Sequence, residues 1–335
     1  MTVNDLTTPA LLVDADALDA NIADMAAALP GPRMRPHVKA HKTTELAKRQ
    51  AAAGHTGFTC ATVREVVGMA AAGLDDLLLA NEVLDASRLG PLVESGSRIT
   101  VAVDSEATLA AAVAGGVREV VIDVNVGLPR CGVAPDQAGR LADRARAAGM
   151  QIRGVMGYEG HLMLVPDLAE RAKLTEECMA LLLAAHGDVG GELVSGGGTG
   201  TYAINTWVNE VQAGSYALMD TAYTSAGVPF RQALTLLSTV ISVTAAAGDK
   251  PGWAVADVGL KGLGMDHGNP TVPGAQVWYC ADEHTVFAPE EPVAVGDRIR
   301  ILPAHIDPTV AMHERMHVVR GDEVLETWPV DLRGW

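Results

Sequence analysis

Along its first two thirds the chain alternates two kinds of hydrophobic pattern. Short apolar runs read as strands: RMRPHVK (33–39), GFTCAT (57–62), DLLLAN (76–81), RITVAVD (98–104), REVVIDVN (118–125), IRGVMGYEG (152–160), ELVSG (192–196) and VQAGSY (211–216). Between most of them lie amphipathic, alanine-rich segments such as TTELAKRQAAAG and PDQAGRLADRARAAG. The latter opens with Pro135 and Asp136 and closes at Gly149, residues suited to starting and stopping a helix. Eight strands with intervening helices predict an α/β protein with a (β/α)8 TIM-type barrel over residues 1–235. An open doubly wound sheet is disfavoured, because no G-x-G-x-x-G follows a first strand.

The pattern changes near residue 235. LLSTVISVTAA, PGWAVADVG, AQVWYCADEHTVFA, DRIRILPAHID and ERMHVVRGDEVLETWPV are all strand-like and are separated by G-D, P-G or D-E turns. Residues 236–335 therefore predict a mostly antiparallel β domain. LLVD (11–14), which precedes the eight barrel strands, is a candidate to pair with it.

Composition narrows the function. With 25 Lys+Arg against 41 Asp+Glu the formal net charge is −16, which argues against nucleic acid or an anionic membrane as partner. Cys60, Cys131, Cys178 and Cys280 are far apart and form no C-x-x-C pair, so neither a disulfide framework nor a cysteine zinc site is expected. The start, MTVNDLTTPALLVD, has no basic region ahead of an apolar core, and no apolar run reaches transmembrane length. A cytoplasmic protein is the expectation.

Barrels of this kind place their chemistry at the C-terminal ends of the strands. Lys39 stands at the end of the first run, SGGGTGT (195–201) follows the seventh, and the eighth ends in AGSY (213–216). Glycines let a backbone approach an anion closely, hydroxyls add donors, and the loops after strands seven and eight commonly hold phosphate. An amine and a phosphate cradle at one barrel mouth suit pyridoxal 5′-phosphate, whose aldehyde needs a lysine. The alternative for Lys39 is a solvated side chain beside His37 and His41. Arg130, Tyr158, Glu159 and His161 also fall at strand ends. Each alone is an ordinary rim residue; together they would ring a cofactor, with arginine for an anionic oxygen and histidine for proton transfer.

Two histidine motifs compete for a metal. H-E-R-M-H (313–317) matches a zinc-protease pattern that requires a helix, yet its surroundings are β-like. In a strand the two histidines would stand nearly 14 Å apart, so the motif is rejected. In PAHIDPT (303–309), His305 and Asp307 lie two residues apart and, in an extended segment, point the same way. An imidazole and a carboxylate suit Mn2+, Zn2+ or Mg2+.

Taken in order, RPHVKAHK, VNVGLPRCGV, GYEGH, SGGGTGT, VQAGSYALMD, DVGLKG and PAHIDPT resemble the D-threonine aldolase and D-serine dehydratase group of fold-type III pyridoxal-phosphate enzymes, which is similar to alanine racemase in its N-terminal barrel. The resemblance implies that Lys39 carries the cofactor. It also implies that Ser195, Gly198, Thr199 and Gly200, with Gly214, Ser215 and Tyr216, hold the phosphate, that Tyr158 lies against the cofactor ring, and that His305 and Asp307 bind a divalent metal. It further implies a homodimer. The dehydratases of this group typically show cysteine two residues after the metal histidine, whereas Asp307 resembles the aldolase side and favours a harder ion such as Mn2+.

The expected reaction is cleavage of the Cα–Cβ bond of a small β-hydroxy-D-amino acid to glycine and an aldehyde. His161 is the candidate base, and Arg130 orients substrate or cofactor. The alternatives are a D-serine or 3-hydroxy-D-aspartate dehydratase using the same cofactor, a non-catalytic pyridoxal-phosphate carrier, and a metal-only barrel hydrolase.

Overall fold

The computed structural model describes residues 1–249 and 251–334. They divide into two compact units: Met25–Lys39 with Thr44–Gly214 and Gly334, and Met1–Asp24 with Ala40–Thr43 and Ser215–Arg333. The first strand in the chain, β1 (Ala10–Asp14), belongs to the second of these.

The other unit is the barrel. Its parallel strands β2 (Gly57–Cys60), β3 (Asp76–Leu79), β4 (Arg98–Val103), β5 (Glu119–Asp123), β6 (Gln151–Gly157), β7 (Leu193–Gly196) and β8 (Glu210–Val211) pair in chain order. Their near-continuous apolar runs, such as Val120–Ile122, are fully buried, as parallel strands covered on both faces require.

The expected first strand, 33–39, does not form as one. Met34 bridges Val211 and His37 bridges Thr59, so this segment closes the ring between β8 and β2 through two isolated contacts. Pro36 has no N–H to give to a ladder, though its carbonyl accepts from Thr59 N–H at 2.9 Å. Lys39 consequently sits in a one-turn 3-10 helix, Val38–Ala40, rather than in a strand.

Local capping sets the barrel helices. Thr62 Oγ1 accepts from Glu65 N–H at 3.1 Å, and the Glu65 carboxylate accepts from Thr62 N–H at 3.3 Å, which starts helix Val63–Ala71. Asp167 Oδ1 accepts from Glu170 N–H at 2.8 Å and opens the 22-residue helix Leu168–Val189. PDQAGRLADRARAAG becomes a short 3-10 turn, Pro135–Gln137, followed by helix Ala138–Ala147.

The barrel interior also holds charge. Arg35 donates to Glu210 at 2.7 Å and to Asp76 at 3.0 Å. Burial works against the guanidinium's charge, but the two carboxylates outweigh it and leave Arg35 harder to deprotonate than usual. Ser195 Oγ donates to Glu210 at 2.8 Å and accepts from Gln212 at 2.9 Å, so both Glu210 and the Ser195 hydroxyl are partnered.

The second unit is a mostly antiparallel sheet made of β1 with β9 (Leu234–Thr244), β10 (Trp253–Ala256), β11 (Ala275–Cys280), β12 (Thr285–Pro289), β13 (Arg298–Ile301), β14 (Arg315–Arg320) and β15 (Glu323–Pro329). The strand LLVD does join it: β1 runs antiparallel to β9 and parallel to β14. Leu11, Leu12, Val13, Leu236, Val318 and Val319 give this unit its buried centre. After β13 the chain turns at His305 into the short helix Ile306–Ala311, which carries Asp307 in its first turn.

Candidate active site

Three elements of the barrel unit bring their side chains to one ring. The Lys39 ammonium lies 5.9 Å from the centroid of the Tyr158 ring, and the Arg130 guanidinium lies 5.5 Å from it. Both are within cation–π range, where an electron-rich face attracts positive charge. Lys39 comes from the turn after the closing segment, Tyr158 follows β6, and Arg130 sits in the loop after β5. Asn125 braces that loop by donating to Leu128 O at 3.1 Å and accepting from Gly127 N–H at 2.9 Å. Beside it, Cys131 has its thiol pushed up to about 11, first by a hydrogen bond with Glu82 and then by burial, which suits packing and not nucleophilic chemistry.

The glycine loop is anchored from below by a carboxylate. Glu159 is fully buried and accepts from Gly197 N–H at 3.1 Å, Thr201 Oγ1 at 2.7 Å and Asn205 Nδ2 at 3.0 Å. Thr201 Oγ1 in turn accepts from Gly198 N–H at 3.2 Å. A Cβ at Gly198 would meet Met163 Sδ at 2.8 Å and Tyr158 Cε2 at 3.4 Å, and one at Gly200 would meet the Met163 carbonyl oxygen at 2.2 Å. Only glycine lets this backbone lie so closely over Met163 and the Tyr158 ring. An amine, an aromatic ring and a side-chain-free backbone cradle thus occur together, and this set fits pyridoxal phosphate.

The remaining expected residues are placed differently. Thr199 is buried within the loop. The Ser195 hydroxyl is committed to Glu210 and Gln212. His161 is exposed, with its ring beside Gly127 and its Nε2 4.0 Å from Cys178 Sγ. Gly214 ends the barrel unit. Ser215 opens the second unit in a 3-10 turn, Ser215–Ala217, and Tyr216 is buried there against Phe230, with ring centroids 5.5 Å apart.

In the β unit His305 Nε2 stands 3.9 Å from Asp307 Oδ1. Two ligand bonds of about 2.1 Å each reach across such a gap, so one cation fits between them. The segment is not extended throughout: His305 is, but Asp307 lies in the first helical turn. Ser215 Oγ donates to Asp307 Oδ1 at 3.3 Å.

Three further residues surround this pair and carried no signal in the sequence. Asp266 Oδ2 meets His305 Nδ1 at 2.7 Å, and His267 stacks on the His305 ring. Burial pulls the Asp266 carboxyl up, but the hydrogen bond and charge of His305, a backbone bond and the charge of His267 together outweigh it and hold the carboxyl below its ordinary value. Asp220, fully buried, accepts from Ile306 N–H at 3.1 Å and Tyr223 N–H at 3.0 Å, bracing the start of the helix that carries Asp307. Burial raises its carboxyl to about 6 despite these two bonds. The H-E-R-M-H histidines are engaged separately: His313 Nε2 lies 2.9 Å from Gly262 O, and His317, on β14, has Nδ1 2.9 Å from Thr327 Oγ1.

A lysine-bearing (β/α) barrel followed by an antiparallel β unit defines the alanine racemase-like class of pyridoxal-phosphate proteins. Residues 13–222 match the family model described as "Alanine racemase, N-terminal domain", and residues 233–319 match "Putative serine dehydratase domain". The chain belongs to the fold-type III pyridoxal-phosphate family that contains the D-threonine and 3-hydroxy-D-aspartate aldolases. It is 34% identical to the 3-hydroxy-D-aspartate aldolase of Paracoccus denitrificans (strain Pd 1222), over 100% of this chain and 94% of that protein. Its identity to the D-threo-3-hydroxyaspartate dehydratase of Delftia sp. (strain HT23) is 31%, over 100% and 99%. The crystal structure of D-threonine aldolase from Filomicrobium marinum superposes with a TM-score of 0.91 at 34% identity, covering 100% of this chain and 98% of that one. Among the described residues no helix is long and apolar enough to cross a membrane.

Proposed function

We propose that this chain is a pyridoxal-phosphate- and divalent-metal-dependent aldolase that cleaves the Cα–Cβ bond of β-hydroxy-D-amino acids to glycine and an aldehyde. The observation that carries this reading is the carboxylate of Asp307 facing His305 Nε2 in a chain that is full-length kin to aldolases.

Lys39 would supply the amine that holds pyridoxal phosphate covalently. Bound pyridoxal phosphate supplies an electron sink for the pair left at Cα. The Tyr158 face carries the positive charge of Lys39 and Arg130, and Arg130 orients an anionic oxygen of substrate or cofactor. Gly198, Thr199 and Gly200, held by Glu159, with Gly214 and Ser215, form the phosphate cradle. His305 and Asp307 would hold a divalent cation, which would supply Lewis acidity toward the β-hydroxyl. His161 takes the proton from that hydroxyl. A homodimer in the cytoplasm, with Mn2+ as the resident ion, completes the proposal.

The purified protein is expected to be yellow and to convert D-threonine to glycine and acetaldehyde, with activity lost in EDTA and restored by Mn2+. Lys39→Ala should abolish both the visible absorbance and turnover, and a coloured, active variant would sink the assignment. The kinship to a dehydratase supports a second reading, β-elimination. Ammonia and a keto acid in place of glycine and aldehyde would select it.

A further inference from the structure

Asp266, His267 and Asp307 converge on His305 in the β unit, and two sets that include His305 could hold a cation. One is Asp266, His267 and His305, whose ligand atoms all lie within 4.8 Å of one another. The other is His305 with Asp307, 3.9 Å apart.

Ring geometry decides between them. The rings of His267 and His305 are stacked, with centroids 4.1 Å apart and planes inclined by only 10°. An imidazole lone pair lies in the ring plane, so two stacked rings aim into parallel layers. They cannot both reach one ion through bonds of about 2.1 Å. His267 is therefore not a co-ligand of His305.

Asp266 meets the opposite nitrogen from Asp307: its Oδ2 is 2.7 Å from Nδ1, a hydrogen-bond distance, while Asp307 faces Nε2. This approach is built into the backbone. Gly264 bridges His305 in antiparallel register, and Gly264 N–H donates at 2.9 Å to Thr309 Oγ1, which itself donates to His305 O at 2.6 Å. A Cβ at Gly264 would stand 2.3 Å from Pro308 Cγ, so glycine is what lets the two segments close.

We propose that Asp266 is a positioning residue of the metal site: it accepts the Nδ1–H of His305 and fixes the tautomer whose Nε2 lone pair faces Asp307. A neutral imidazole carries one proton, and placing it on Nδ1 leaves Nε2 as the ligand atom. A carboxylate behind a metal-bound histidine also raises its basicity and holds its ring. The inference rests on His305 and Asp307 being the ligands.

The test is Mn2+ titration of EDTA-treated, pyridoxal-phosphate-loaded protein, following free Mn2+ by electron paramagnetic resonance. Asp266→Ala is expected to weaken binding by about 10- to 100-fold. Asp266→Asn keeps an oxygen to accept the Nδ1–H and should recover to within a few-fold of wild type. It also serves if the alanine variant does not fold. In 15N-histidine NMR of the metal-free holoenzyme, His305 should be the Nδ1–H tautomer in wild type and Asp266→Asn. Wild-type affinity in Asp266→Ala, an Nε2–H tautomer in wild type, or an asparagine variant binding tenfold or more below wild type would overturn the proposal. Wild-type Mn2+ affinity in His305→Ala would instead overturn the ligand assignment on which it rests.

Discussion

The group around Tyr158 in the barrel unit and the group around His305 in the β unit are built by opposite means. The first is made by backbone: two glycines pressed onto Met163 and Tyr158, and a buried carboxylate whose three bonds go to one loop and the residues that follow it. The second is made by side chains on a short helix and an exposed loop, with Asp266 and His267 both open to solvent. Backbone-built sites have no slack, because an added atom has nowhere to go. Side-chain-built sites lose affinity in increments, because each ligand contributes separately. A phosphate needs the first kind of surface and a cation the second.

The largest effect is expected where the backbone is tightest. Gly200→Ala would drive a methyl group to 2.2 Å from a main-chain oxygen, so the loop must move. The variant should lose bound pyridoxal phosphate on dialysis while wild type keeps it. Gly187→Ala, in helix Leu168–Val189 with nothing within 4 Å, is the control and should gain about 0.5–1 kcal/mol in denaturant unfolding. Equal cofactor retention in Gly200→Ala and wild type would break the contrast.

Glu159→Ala comes next. It strands three donors in a buried place, each costing about 1–3 kcal/mol. Denaturant midpoints and cofactor off-rates should both worsen, and Glu159→Gln, which keeps one acceptor oxygen, should fall between. Asp307→Cys is milder in kind: it should leave fold and cofactor binding intact and shift the preferred ion from Mn2+ toward Zn2+ in a competition titration. Unchanged ion preference would show that Asp307 is not a ligand.

The same contrast explains what the chain disclosed in advance. Barrel strands were legible because burial on both faces makes each a continuous apolar run, and helix ends because Pro135, Asp136 and Gly149 act locally. The run 33–39 predicts a strand by its apolar pattern, yet Pro36 limits its pairing to isolated bridges at Met34 and His37. Lys39, Tyr158 and the glycine loop stood out by residue type at strand ends. Glu159 read as a rim residue because its donors lie 38, 42 and 46 positions away. Asp266 is 39 residues from His305, and Asp220 is 86 from Ile306, distances over which no periodicity carries information. His267 gave no hint either, since stacking depends on two loops meeting.

The smallest expected effect distinguishes a structural histidine of the β unit from its metal-site neighbours. Burial lowers the imidazole of His313 below its ordinary 6.5, opposed in part by the bond to Gly262 O. A lowered folded value means that the unfolded chain binds more protons as pH falls, so the stability from neutral His313 is present above 6.5. It is lost as pH falls from 6.5 toward the folded value. His55 and His317 are lowered by burial too and act in the same direction. Asp220 opposes them: raised to about 6, it keeps a proton that the unfolded carboxyl has lost, so its contribution fades as pH rises from 3.8 through about 6. Asp123, also raised by burial, acts in the same sense as Asp220, and both are common to wild type and a His313 variant, so comparing the two isolates the histidine. His313→Gln keeps a donor for Gly262 O and removes the titration. Its denaturant midpoint in EDTA should fall less between pH 7 and 6 than that of wild type, and an identical slope would show that His313 does not titrate with folding.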